Sequence, residues 1–164
     1  MNPRKPWHRT FVLIGSLGPL GYLPASGTVT VALLGPLLYW QMHALSPLVY
    51  LALTVGFAGV SVWVHSVGDR ILGEKDSRRL VWDELVGILF ALFWVQTFTW
   101  QIAVVAVLIE RAIDIVKVPP ANWIEDRWPG GWGVVGDDVI AGIYTCLILH
   151  GLLRIAPSWL GLPV

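Results

Sequence analysis

Hydrophobic residues along the chain form long uncharged runs separated by short polar stretches. Three of these runs cover residues 28–44, 48–67 and 85–109. The first two match the roughly 20 residues that a helix needs to cross a bilayer. A last apolar helix is predicted from Asp138 to about Ile155. The alternating pattern of a transmembrane β-barrel does not occur in the sequence, which therefore predicts an all-α, polytopic membrane helix bundle.

The run at residues 85–109 is long enough for one crossing, but two shorter helices are predicted instead, at about 82–97 and 101–117. The polar residues between them suit a turn at the far interface of the membrane, with Trp100 as an anchor. A single crossing would also place the acidic residues that precede and follow it on opposite faces of the membrane. This interpretation gives a bundle of about five helices.

Glycine and proline mark the segments between these helices. Residues 11–27 are apolar but rich in both, which predicts an interfacial segment followed by an irregular loop. Residues 118–136 are predicted to form a second loop. Ser46 and Pro47 are typical of a helix cap and first turn. The whole chain, residues 1–164, is interpreted as a single membrane-embedded domain.

Positive charge is concentrated on one side of this predicted arrangement. Residues 1–10, interpreted as a basic cytoplasmic tail, and the segments 69–81 and 118–137 carry most of the Lys and Arg. The predicted turns on the other side carry none. Because cytoplasmic loops are enriched in these two residues, we expect the three segments to lie in the cytoplasm.

Composition supports the membrane assignment and narrows the function. Of the 164 residues, 55% are hydrophobic and 13% are charged, against roughly 25% charged residues in soluble domains. The mean hydropathy is +0.67. A formal net charge of zero argues against electrostatic binding of nucleic acid. The one cysteine, Cys146, excludes an internal disulfide framework, and the four histidines lack ligand spacing and are interpreted as packing or interfacial residues.

Three groups of charged residues lie at the borders of the apolar runs, where burying charge is costly. Each group alone has a structural explanation, because carboxylates favour helix N-termini and cations favour helix C-termini. Carboxylate oxygens are also ligands for a hard cation such as Mg2+, and Arg and Lys side chains bind phosphate. The groups are Asp83-Glu84, Arg111-Asp114-Lys117 and Asp137-Asp138.

Together these groups place five carboxylates and two cations at one membrane face. We expect Glu84, Asp114 and Asp138 to meet there from three different helices. Such a cluster favours metal-assisted hydrolysis of an anionic, membrane-borne phosphate ester. The glycines before the last acidic pair, and Gly27 with Thr28, would let backbone amides approach the phosphate.

Four segments follow the motifs of one enzyme family. Residues 80–87, LVWDELVG, resemble an I-V-x-D-E-x-x-G motif, and residues 111–117, RAIDIVK, resemble R-x-x-D-x-x-K-P. Residues 130–142 resemble G-G-x-G-x-x-x-D-D-x-x-A-G, and residues 21–28 resemble part of an N-terminal G-x-x-P…P-G-T-x-G-S box. The order is kept over about residues 15–145, and the family that the chain resembles is phosphatidylglycerophosphatase A.

The resemblance implies an all-α, Mg2+-dependent phosphatase of the bacterial inner membrane. Its substrate would be phosphatidylglycerophosphate and its product phosphatidylglycerol, a step of phospholipid biosynthesis at the cytoplasmic face. Asp114 would be a further metal ligand or would act on the attacking water, and Asp83 and Asp138 are the other catalytic candidates. The implied metal ligands are Asp83, Glu84, Asp137 and Asp138, and the implied substrate-binding residues are Arg111, Lys117, Gly27 and Thr28.

The chain departs from the family pattern in several places. In the N-terminal box Ser26 replaces a proline, and Thr30-Val31 replaces Gly-Ser. Val118 replaces the proline that ends the second motif, and Gly136 replaces a larger apolar residue before the acidic pair. Because the acids and cations are retained, we expect the activity to be retained as well.

Two other classes of protein also place acids in a membrane. A CDP-alcohol phosphotransferase does so, but its D-G-x-x-A-R and G-x-x-x-D-x-x-x-D spacing is absent from the sequence. A non-enzymatic bundle or ion-conducting protein would carry its acids at mid-span rather than at helix ends.

Overall fold

The computed structural model describes residues 6–163, and every regular element in that range is helical. The helices are α1 (Pro6–Gly15), α2 (Ser26–Met42), α3 (Pro47–Leu72), α4 (Trp82–Ala91), α5 (Trp100–Val116), α6 (Ala121–Arg127) and α7 (Gly131–Ile155), and two short 3-10 segments accompany them. The five predicted helices correspond to α2, α3, α4, α5 and α7. The prediction of an all-α bundle of about five main helices is confirmed.

Two short helices lie outside the five predicted ones, α1 in the predicted tail and interfacial segment and α6 in a predicted loop. Helix α1 includes residues 6–10 of the predicted tail and the start of the segment 11–27, while residues 1–5 of that tail lie outside the described residues. Pro6 suits the first turn of a helix because its φ is already fixed, and α1 packs against α3. Helix α6 lies inside the predicted loop 118–136. Helices this short depend on tertiary packing, which the sequence pattern does not show.

Helix α7 starts earlier than predicted, which changes the position of the acidic pair within the helix. The helix begins at Gly131, well before the predicted start at Asp138. Gly131 lies so close to the carbonyl oxygen of Val62 that a Cβ would overlap it, and its N–H donates a hydrogen bond to Ser66 Oγ at 3.1 Å. The glycines of residues 130–136 therefore pack a helix rather than form an anion-binding loop. The acidic pair that follows lies about two turns inside α7, so the prediction that it opens the helix is wrong.

Two helices among the described residues are long and apolar enough to cross a membrane, α3 with 26 residues and α7 with 25. Helix α3 continues past its predicted end at residue 67, as far as Leu72. Helices α2 and α5 have 17 residues each and α4 has 10, so that α4 is only about 15 Å long. The predicted division of the apolar run 85–109 into two helices is confirmed, with the break between Ala91 and Trp100.

Helix α4 lies at the centre of the bundle and packs against α2, α3, α5 and α7. Its residues Leu85, Val86 and Ile88 are buried. Where α4 meets α7, a Cβ on Gly142 would overlap the carbonyl oxygen of Gly87. Small residues allow the backbones of membrane helices to approach closely. Two glycines from separate sequence motifs therefore set the spacing of the central helix pair.

Side-chain caps fix the helix starts at the end of the bundle opposite to the acids. The predicted Ser46 cap of α3 is confirmed, because Ser46 Oγ accepts a hydrogen bond from the N–H of Val49 at 3.5 Å. Thr99 caps α5, and its Oγ1 accepts from the N–H of Ile102 at 3.0 Å and donates to the carbonyl of Leu160 at 2.6 Å. These contacts hold α5 against the C-terminal segment.

The close contact between α4 and α7 predicts that Gly142→Ala destabilises the protein, because overpacking of this kind costs about 1–3 kcal/mol. Gly151→Ala, on the same helix, is the matched control. No described atom lies within 4 Å of a Cβ placed at Gly151, so this change should be neutral or slightly stabilising, since alanine favours a helix over glycine. Thermal unfolding in detergent, followed by circular dichroism, compares the two variants. Equal midpoints would contradict the packing argument.

Candidate active site

The loop before α4 is held in place by the end of α3. Asp69 accepts hydrogen bonds from two backbone N–H groups of that loop, those of Asp76 at 2.9 Å and Ser77 at 3.2 Å. Val81, the last residue before α4, is almost fully buried. The first turn of α4, with Asp83 and Glu84, is therefore presented at a fixed place between its neighbouring helices.

Carboxylates from three helices converge at this end of the bundle. Glu84 comes from α4, Asp114 from α5 and Asp138 from α7. One carboxylate oxygen of each lies within 4.8 Å of the other two. The three residues are distant in sequence, and the structure brings them together as the sequence led us to expect.

Arg111 lies among these carboxylates. Its Nη1 contacts the Glu84 carboxylate and lies 3.3 Å from Asp114 Oδ2, and its Nη2 lies 3.5 Å from Asp138 Oδ1. The Glu110 carboxylate accepts two hydrogen bonds from the same guanidinium, from Arg111 Nε at 2.7 Å and from Nη2 at 2.8 Å. Glu110 has no exposed surface. It therefore fixes the plane of the guanidinium and leaves Nη1 directed towards the acidic group.

Asp83 is separated from this group and paired with a histidine. Its Oδ1 lies 3.1 Å from Nε2 of His65 on α3, and both side chains are buried. The interpretation of the histidines as packing or interfacial residues is wrong for His65. Because the residue lies inside an uncharged run with no ligand spacing, only the packing of α3 against α4 reveals the contact.

Asp137 is likewise engaged elsewhere. Lys117 Nζ donates to Asp137 Oδ2 at 2.9 Å and to Glu125 Oε2 at 2.6 Å. Burial alone would lower the pKa of Lys117, but these two hydrogen bonds and the charges of the two carboxylates raise it. The predicted ligand set thus divides, with Glu84 and Asp138 in the central group and Asp137 bound to a lysine.

A cavity of about 540 Å³ opens onto the central group. The start of α2 lines it with Gly27 and Thr28, as predicted for a phosphate site. The backbone of Gly27 lies directly against the Glu84 carboxylate, where a Cβ would overlap it. Two arginines that the sequence analysis did not single out, Arg78 and Arg79, also line this cavity.

A further carboxyl lies at this cavity, that of Asp76 in the loop before α4. Burial raises the pKa of this carboxyl, and the negative charge of Asp83 raises it further. A cation bound nearby would favour the charged form of Asp76.

The charges in this network do not balance. Seven carboxylates take part in its ion pairs, but only two permanently charged cations do so among the described residues. Three of the carboxylates, those of Asp83, Glu84 and Asp138, each have a buried oxygen that takes part in an ion pair but accepts no hydrogen bond from the described residues. Buried carboxylates in excess are stabilised by a proton or by a further cation, and an all-oxygen donor set suits a hard divalent metal. The carboxylates are Asp83, Glu84, Glu110, Asp114, Glu125, Asp137 and Asp138, and the cations are Arg111 and Lys117.

Comparison with known proteins agrees with this chemistry. A protein called phosphatidylglycerophosphatase A from Escherichia coli K12 is 30% identical over 148 residues, which are 88% of this chain and 82% of that protein. A protein of the same name from Haemophilus influenzae is 31% identical over 81 residues, 49% of this chain and 50% of that protein. A putative phosphatidylinositol-3-phosphatase from Bacteroides thetaiotaomicron is 32% identical over 146 residues, 84% of this chain and 90% of that protein. No solved structure matches.

The family comparison covers most of the chain. A family model described as phosphatidylglycerophosphatase A matches residues 13–153. This range contains all four motifs noted in the sequence, together with the central acidic group and the cavity that opens onto it. The chain therefore belongs to the phosphatidylglycerophosphatase A family and is a phosphatase.

Proposed function

We propose that this protein is a Mg2+-dependent phosphatase that converts phosphatidylglycerophosphate to phosphatidylglycerol and inorganic phosphate in phospholipid biosynthesis. The observation that carries the proposal is the meeting of Glu84, Asp114 and Asp138 around Arg111, at the base of a cavity. Carboxylates that close together bind a divalent cation, and the guanidinium beside them binds a phosphoryl oxygen.

The ligand set that we propose for Mg2+ is Glu84, Asp114 and Asp138. Their oxygen atoms are close enough to share one ion, and a divalent cation would offset the charge excess of the network. When bound, the metal would offset the charge of the phosphoryl oxygens and activate water. Asp137 holds Lys117 in place in this proposal, and Asp83 faces the cavity next to Glu84.

The proposed phosphate-binding residues that line the cavity are Arg111, Gly27 and Thr28. Lys117, the fourth residue proposed to bind phosphate, does not line it and is bound to Asp137 and Glu125. With the metal neutralising the carboxylates, Nη1 of Arg111 is free to donate to the phosphate, because Glu110 already holds the other two nitrogens. Gly27 and Thr28 lie in the first turn of α2 and line the cavity. Backbone N–H groups at a helix N-terminus favour an anion there.

Asp83 is the residue that we propose to position the attacking water and accept its proton. It lines the cavity, and His65 holds its carboxylate from the side of α3. Water oxygen bonds to phosphorus, the bond from phosphorus to the glycerol oxygen breaks, and the glycerol oxygen takes up a proton. A carboxylate that attacks phosphorus directly is the alternative route, which labelled water distinguishes.

The proposed location is the bacterial inner membrane, with the chain working as a single multi-pass domain and its site in the cytoplasm. The basic loops and the acidic cluster lie at the same end of the bundle, since Asp83 follows the segment 69–81 directly and Lys75 Nζ donates to the carbonyl of Glu125 at 2.7 Å. Positive loops face the cytoplasm. Family membership gives no support to a CDP-alcohol phosphotransferase or to a non-enzymatic bundle.

Phosphate release from vesicles that contain phosphatidylglycerophosphate tests the proposed function. We expect release with Mg2+ and none with a chelator. Asp138→Asn should lower kcat by at least about 100-fold, since a lost metal ligand removes charge stabilisation of the transition state. Asp126→Asn, an exposed aspartate outside the network, is the matched control and should keep full activity. Phosphatidylinositol 3-phosphate is the comparison substrate, and its preferred hydrolysis or metal-independent release would overturn the proposal.

The contact between Gly27 and Glu84 gives a second prediction. Gly27→Ala should lower activity by about 10-fold or more, because the added Cβ displaces a metal ligand and supporting contacts of this kind are worth about 10–100-fold. The midpoint of thermal unfolding should change little. Gly56→Ala is the control, since no described atom lies within 4 Å of a Cβ there. Normal kcat in Gly27→Ala would show that the start of α2 does not bear on the site.

The pairing of Glu110 with Arg111 gives a third prediction. Glu110→Gln keeps the size of the side chain but loses one acceptor, so the guanidinium should lose its fixed orientation. We expect kcat/KM for the lipid substrate to fall by about 10-fold, mainly through KM. Glu74→Gln, in the exposed loop after α3, serves as the control. A fall in kcat with an unchanged KM would contradict a role in holding the phosphate.

A further inference from the structure

A second cavity, of about 690 Å³, lies between α1 and the C-terminal end of α3. One histidine and three arginines line it, together with several aliphatic residues. No residue has been given a role there by the proposed hydrolysis. The polar residues are His8, Arg9, Arg70 and Arg79, and the aliphatic ones include Val12, Leu13, Ile71 and Leu72.

Among the described residues, the three arginines have no acidic partner. No carboxylate lines this cavity, and none of the three forms an ion pair within the range 6–163. Arg70 Nε donates to the carbonyl of Ser66 at 2.6 Å, and the guanidinium of Arg79 lies 5.9 Å from the centre of the Tyr22 ring. The positive charge gathered here is therefore available to an anion.

His8 supplies an independent indication of a ligand. Its side chain is only 3% exposed, and neither ring nitrogen has a hydrogen-bond partner in the part of the chain described. A buried polar group without a partner costs free energy. Because His8 lines the cavity, a hydrogen-bonding group bound there would satisfy it.

The shape of the cavity matches one end of a lipid. Aliphatic side chains line it together with the arginines, and Leu13 on α1 is 56% exposed. A phospholipid joins a phosphodiester to hydrocarbon chains through glycerol, so its anionic and apolar parts are adjacent in the same way. Inorganic phosphate alone would leave the aliphatic wall without a partner.

The second cavity also adjoins the proposed site of hydrolysis. Tyr22 and Arg79 line both cavities. A substrate whose phosphomonoester lies near Arg111 would extend its glycerol bridge towards Arg79. Its phosphodiester would then reach the second cavity without a change in the fold.

We propose that this arginine-lined cavity binds the phosphodiester group of an anionic phospholipid. The group belongs either to the substrate itself or to a neighbouring phosphatidylglycerol molecule, and the first of these rests on the proposed function. In both cases Arg9 and Arg70 bind the diester and His8 donates a hydrogen bond to it.

Lipid retention tests the cavity without using enzyme activity. Full-length protein in detergent is titrated with phosphatidylglycerol or phosphatidylcholine, and bound lipids are counted by native mass spectrometry. We expect the Arg9→Gln/Arg70→Gln variant to hold one phosphatidylglycerol fewer than the wild type, with equal retention of phosphatidylcholine. Arg127→Gln, an exposed arginine that lines neither cavity, should match the wild type. Equal retention of phosphatidylglycerol in all three, with circular dichroism showing folded protein, would overturn the proposal.

Kinetics in mixed micelles then identify the source of the diester. In the double variant, KM for phosphatidylglycerophosphate should rise by about tenfold or more, since a lost charge-assisted contact is worth at least that factor. If the diester is the substrate's own, KM for the deacylated headgroup rises equally. If it belongs to a neighbour, added phosphatidylglycerol stimulates the wild type but not the variant. If the wild type releases no phosphate, the proposed function is wrong. The lipid-retention experiment still tests the proposed binding of a phosphodiester in the second cavity.

Discussion

An excess of buried negative charge at one end of the bundle is the constraint on which the rest of the structure depends. The carboxylates of Glu84, Asp114 and Asp138 lie together, and Arg111 is the one cation among the described residues that reaches all three. Glu110, which fixes Arg111, adds a further negative charge. Such a group is costly unless a proton or a cation offsets its charge, and the proposed divalent metal would do so.

Close helix packing is what brings these charges together. The short helix α4 reaches the centre of the bundle because Gly87 and Gly142 let it approach α7. Gly131 has the same effect between α7 and α3, and Gly27 lets the start of α2 touch Glu84. The glycines of three of the four sequence motifs thus act through packing as much as through backbone conformation. In the proposed site the acids supply the chemistry, and the glycines set the spacing of the helices that carry them.

Much of this arrangement could be predicted from the sequence, because a charge at the edge of an apolar run is conspicuous. The main helices, the Ser46 cap and the meeting of acids from α4, α5 and α7 were all expected. The side chains that contact Asp83 and Arg111 were not expected. His65 lies inside an apolar run and Glu110 at the end of one, and their contacts arise only from tertiary packing. The early start of α7 was missed because glycine normally opposes a helix, whereas here close contacts with α3 require it.

Binding of Mn2+ to the purified protein, measured by electron paramagnetic resonance, tests the central claim most directly. Mn2+ takes the same oxygen ligands as Mg2+ and its free form gives a strong signal. We predict saturable binding in the absence of lipid, competed by Mg2+ and lost in a protein that combines Glu84→Gln with Asp114→Asn. Two results would contradict the account: folded wild-type protein that binds no Mn2+, or a double variant that binds Mn2+ as well as the wild type does.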